Sequence, residues 1–97
     1  MRVRDKNNPD KILNAIQYYG EFAAGFDGEY SERPYWLDYV VKEYGDKISV
    51  KLFNNREKYL YKNDWFIYDD SKGKVEILET VSNEEFRKRF IQVYYWK

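Results

Sequence analysis

At 97 residues, with 17 Lys plus Arg against 17 Asp plus Glu, the chain is sized for one domain and carries no net field to steer it toward nucleic acid or an anionic membrane. It has neither cysteine nor histidine, which excludes disulfides, thiolate nucleophiles, Ser-His pairs and zinc sites of the usual nitrogen or sulfur type. Hydrophobic residues make up 43%, nearly half of them aromatic, enough ring surface for a small domain to offset the entropy of ordering, so disorder is a poor reading.

Residues 1–10, ending in Asn7-Asn8-Pro9-Asp10, are polar and rich in turn formers, which predicts an extended polar arm. Ile12, Leu13, Ala15, Ile16 and Tyr18 follow without a clean period. Strand and helix both fit so short a run, and its β-branched and aromatic content favours strand. Gly20 closes it, and Glu21 to Phe26 suits a short helical turn. Pro34 to Tyr44 reads as the best internal helix. Proline suits a first turn, Trp36, Leu37, Val40, Val41 and Tyr44 share one face, and Gly45 is placed to end it.

From Lys47 the period changes to two. Ile48, Val50 and Leu52 alternate with Lys47, Ser49 and Lys51, so this strand buries one face, and Asn54-Asn55 supplies a turn. The aromatic segment Tyr59 to Tyr68 is expected to pair back as a single strand with a bend or bulge at Asn63-Asp64. A loop over residues 69–73 then leads into a third strand, Lys74 to Glu79, with Val75 and Ile77 inward. Ser82 to Ile91 is the clearest helix. Ser82 and Glu85 form a capping box, Val81 and Phe86 stand at the staple positions, and Arg87, Lys88 and Arg89 suit the C-terminal end of the helix dipole. Residues 92–97 form an aromatic C-terminal extension, expected to be extended.

The expected fold is therefore a single α+β domain over residues 1–97: a three- or four-stranded, mainly antiparallel sheet packed against two or three short helices. No apolar run approaches a bilayer span and the N-terminus lacks a signal-peptide core, so no membrane association and a cytoplasmic location are expected. Only carboxylates remain as catalytic candidates. Asp69-Asp70 and Glu84-Glu85 could act as acid and base or hold Mg²⁺, but a turn and a helix N-terminus explain them structurally. A non-enzyme without cofactors is the expectation.

Three segments together resemble a family. Ile12-Leu13-Asn14-Ala15-Ile16-Gln17-Tyr18, with Gly20 and Phe22 after it, resembles the "VEAIQWTG" opening of a family of small uncharacterised proteins in phages and prophages of Gram-positive bacteria. Pro34-Tyr35-Trp36-Leu37 resembles that family's "PxWL" helix start. Asn63-Asp64-Trp65-Phe66-Ile67, then Gly73-Lys74, then Phe86 with Phe90, is similar to its closing "GDWII…GE…F…Y" module, with Asn63 in place of the usual Gly and Lys74 in place of the usual Glu. The resemblance covers about residues 12–90 and implies a phage or prophage accessory protein with a compact fold of sheet and helices. It implies no catalytic residue.

Three surfaces are candidates for binding. Tyr94, Tyr95 and Trp96 have the chemistry of interface anchors, either packed as an edge strand on the chain's own sheet or paired with a partner or a second copy by strand addition. An acidic group, with Asp27, Glu29, Glu32 and Asp38 at its centre, would suit a basic partner. Lys51, Lys58, Tyr59, Tyr61 and Lys62, with Lys47, Arg56 and Trp65 nearby, interleave charge and rings as in proteins that hold single-stranded nucleic acid. The leading expectation is a protein-binding module for a host or phage protein, such as an inhibitor of a host factor or defence system, with a homodimer through the C-terminal strand as a variant. Nucleic-acid binding and structural self-association are the alternatives.

Overall fold

The computed structural model describes residues 1–18, 36–44 and 47–93. Among these residues the chain forms eight strands, one seven-residue helix and one isolated helical turn. In chain order they are β1 (Arg2–Asp5), β2 (Asn8–Gln17), the turn α1 (Leu37–Val40), β3 (Val41–Tyr44), β4 (Lys47–Lys51), β5 (Glu57–Leu60), β6 (Trp65–Asp69), β7 (Glu76–Val81), α2 (Asn83–Arg89) and β8 (Phe90–Gln92). The strands make two antiparallel sheets, one of five strands in the order β7-β6-β2-β1-β8 and one of three in the order β3-β4-β5. The chain is thus mostly β, and the expected α+β arrangement of one sheet packed by two or three helices is overturned.

The five-stranded sheet is covered on both faces, and alternation along its strands sets what each face carries. Ala15 and Ile67 lie opposite each other and point to the helix side, where they join Val3, Leu13, Trp65, Val81, Phe86 and Phe90. Ile16 and Phe66, one residue along, point the other way and meet Val41, Ile48, Val50, Leu52 and Leu60 of the small sheet. A bulge keeps β7 consistent with both layers. Ile67 faces Glu79 but Tyr68 faces Ile77, which leaves Leu78 as the extra residue and turns Ile77 to the small-sheet side.

Four local expectations changed. The N-terminal segment is extended, but β1 is an interior strand hydrogen-bonded to β2 and β8, with Val3 0% exposed, rather than an arm. The Pro34–Tyr44 helix is, in its described part, only the turn α1, and the chain then becomes β3. Val41 is β-branched and sits opposite Val50, so pairing with β4 overrides the helical spacing. Tyr59 to Tyr68 is two strands in different sheets. Asn63, at φ 74°, makes the turn between them, its N–H donating to the Tyr18 carbonyl at 2.7 Å. The helix after Ser82 ends at Arg89, so that Phe90 and Ile91 belong to β8.

Other expectations match. Ile48, Val50 and Leu52 are buried, Asn55 carries the left-handed φ of 69° in the Asn54-Asn55 turn, and Gly73 does the same at 82° in the loop before β7. The Ser82 hydroxyl accepts from the Glu85 N–H at 3.1 Å, and Phe86 and Phe90 are both buried. Trp65 lies flat on Phe86, centroids 3.8 Å apart and planes 4° off parallel, and its indole N–H donates to Asn83 Oδ1 at 2.9 Å. That contact fixes the helix over the centre of the sheet.

Candidate functional site

The outer face of the three-stranded sheet is built by two-residue alternation. Val41, Val50 and Lys58 form one cross-strand row and Lys42, Ser49 and Tyr59 the next. Because Val41 and Val50 are buried against the large sheet, the first row is the inner one, and the second, together with Lys47, Lys51 and Glu57, faces away from the core. Tyr59 is 50% exposed, and Lys47 Nζ stands 5.0 Å from its ring centroid. Ser49 is only 3% exposed, although it lies on this outer face, and its hydroxyl donates to Glu57 Oε1 at 3.1 Å. Ser49, Glu57, Lys58 and Tyr59 line an open hollow of about 270 Å³.

This geometry divides the basic and aromatic candidates. Lys51 and Tyr59 share this face, Tyr59 lying opposite Ser49 with Lys47 and Lys51 two residues to either side of Ser49 on β4, and Lys42 opposite Ser49 on β3. Lys58 belongs to the inner row and reaches solvent only because β5 is an edge of its sheet among the described residues. Tyr61 and Lys62 are exposed in the turn after β5, whose geometry is fixed by the Asp64 carboxylate accepting from the Tyr61 N–H at 2.9 Å. Trp65 is buried beneath α2 and takes no part. Lys42 escaped the sequence reading because its segment was assigned to a helix; the adjacent β-branched pair Val40-Val41 was the signal for strand. Ser49 and Glu57 carry no signal of their own until register places them beside Tyr59.

The second candidate surface starts at β8. Val3, Arg4 and Asp5 face Gln92, Ile91 and Phe90, and the Val93 N–H still donates to the Arg2 carbonyl at 2.9 Å. Among the described residues the chain is therefore an edge strand on its own sheet through Val93, with Ile91 52% exposed. Tyr94, Tyr95 and Trp96 lie outside the described residues. So do Asp27, Glu29 and Glu32 of the acidic group, and of Asp38 only the backbone, in α1, is described.

The paired acids have structural partners. Asp69 is 3% exposed, and its Oδ1 accepts from the Ser71 N–H at 2.9 Å while Lys11 Nζ stands 3.3 Å from Oδ2 as an ion pair. The Ser71 N–H and hydroxyl, then Lys11, hold the carboxyl down at about 2. Asp70 accepts from Asn14 Nδ2 at 3.2 Å, and Glu84 pairs with Lys88 at 3.2 Å along one helix face. Arg89 reaches Glu79 and Asp5 at 2.8 and 2.9 Å, so one guanidinium ties α2 to β7 and to β1. Those two carboxylates, Glu79 first, push it further above its ordinary value. Among the described residues no three acidic side chains gather to hold a metal ion, and no helix is long and apolar enough to cross a membrane. Comparison with known proteins found no matching family model, no matching curated protein and no matching solved structure.

Proposed function

We propose that the chain is a non-catalytic protein-binding module of phage or prophage origin, which takes a host or phage protein at the β8 edge of its five-stranded sheet. The observation that carries this reading is the bond from the Val93 N–H to the Arg2 carbonyl. It keeps the backbone in register on β1 at the residue just before Tyr94-Tyr95-Trp96, so interface chemistry follows in sequence on the strand that is outermost among the described residues. A partner strand laid along such an edge gains main-chain hydrogen bonds, and large rings beside it fill pockets. β8 is short, which limits indiscriminate pairing. The resemblance to small phage proteins supports a phage origin, and inhibition of a host factor is the activity proposed by analogy.

The test is a pair of truncations. Removing residues 94–97 leaves every described β8 contact, so the variant should melt within a few degrees of the parent yet lose the protein that the parent captures from host lysate. Removing residues 91–97 also deletes the bonds to β1 and should destabilise the fold. A 94–97 deletion that captures the same protein as strongly as the parent rejects the reading. Light scattering on the two chains separates a foreign partner from a second copy, since a dimer would halve in mass on truncation.

A further inference from the structure

We propose that the outer face of the three-stranded sheet is a second binding site, independent of the β8 edge, and that it holds a short segment of single-stranded nucleic acid. Three observations meet there. The first is unpaired charge. Lys42, Lys47 and Lys51 share one face and form no ion pair with a described acid. Three ammonium groups against the one described carboxylate of that face, Glu57 opposite Lys51, suit a chain of phosphates.

The second is the ring. Tyr59 is half exposed, has Lys47 Nζ over its ring, and is held on β5 by register with Ser49 of the middle strand β4 rather than at a flexible tip. A base stacking on it would find phosphate-binding lysines on either side, the arrangement by which single strands are held. The third observation is an acceptor for a base edge. Glu57 stands in the hollow beside Tyr59, with Ser49 donating to it. A base amino group would be accepted there, as the exocyclic amine of cytosine is by a glutamate. The hollow, at about 270 Å³, falls below the size of a drug-like pocket and suits one flat ring.

The experiment is fluorescence anisotropy with a labelled oligodeoxycytidylate of about ten nucleotides, within the span one small β domain covers. The intact chain should bind it, with a log–log salt slope of about −2 if three lysines each meet a phosphate of a single strand. Tyr59→Ala should weaken binding roughly tenfold and Tyr59→Phe should not, because stacking needs the ring and not the hydroxyl. Lys51→Ala should flatten the slope by about 0.7. These side chains are exposed, so the variants should melt close to the parent, and the 94–97 truncation should bind the oligonucleotide unchanged. The proposal is overturned by no binding at low salt, by an affinity indifferent to Tyr59→Ala, or by polyglutamate or a duplex of equal length binding as tightly.

Discussion

Two carboxylates show how single residues hold this fold at its corners. Asp69 closes the turn between β6 and β7 by accepting from Ser71 and pairing with Lys11 on β2, and Asp5 accepts from the Asn7 N–H while meeting Arg89 across the sheet. Both are held below the usual aspartate value, Asp5 chiefly by the Asn7 N–H. A carboxyl with a depressed value in the folded state contributes stability that is complete above the unfolded value, near 4, and disappears as pH falls toward the folded one. Thermal melts should therefore show the midpoint falling between about pH 4 and pH 2. Asp69→Asn should lower stability at neutral pH by about 1.5–3 kcal/mol, the usual contribution of hydrogen bonds to a charged group, and should weaken the acid dependence. An unchanged acid limb would show that Asp69 does not carry it.

At the scale of elements, what the sequence announces and what it hides divide by how local the cause is. The helix α2 announces itself because its cap, its staple and its terminal charges are all within one short segment. Ser82→Ala should cost about 1 kcal/mol, measurable by urea unfolding, and a neutral result would remove the cap from the account. Strand β4 is equally plain, since Ile48, Val50 and Leu52 alternate cleanly. β1 is hidden. Its single apolar residue, Val3, sits among Arg2, Arg4 and Asp5, and only the neighbours β2 and β8, from distant parts of the chain, make it interior. β3 is hidden differently, because Trp36 and Val40 have helical spacing and do form a turn, after which pairing with β4 takes over. Of the outer-face residues proposed above, Lys51 and Tyr59 were named together from charge and ring alternation, and register does place them on one face. Lys42, Ser49 and Glu57 were not, because cross-strand register brings them there.

On the scale of the whole molecule, the five-stranded sheet is the structural plate that everything else covers. Its one face receives the small sheet through Ile16, Phe66 and Ile77, and its other receives α2 through Trp65, Ile67 and Phe86. Both chain ends enter this plate side by side, since β1 pairs with β8. That arrangement gives the two proposed surfaces their separation: among the described residues the β8 edge ends the large sheet, while Lys42, Lys47, Lys51 and Tyr59 face outward from the small one. It also makes the N-terminal segment the element on which the account stands, because without β1 the strand β8 has no partner and the edge it presents does not exist. Amide hydrogen exchange read residue by residue tests this most directly. Val3 and Arg4 should fall in the same slowly exchanging class as Ile16 and Ile67. Exchange of residues 2–5 at the rate of an unstructured chain, with Ile16 and Ile67 still protected, would contradict it.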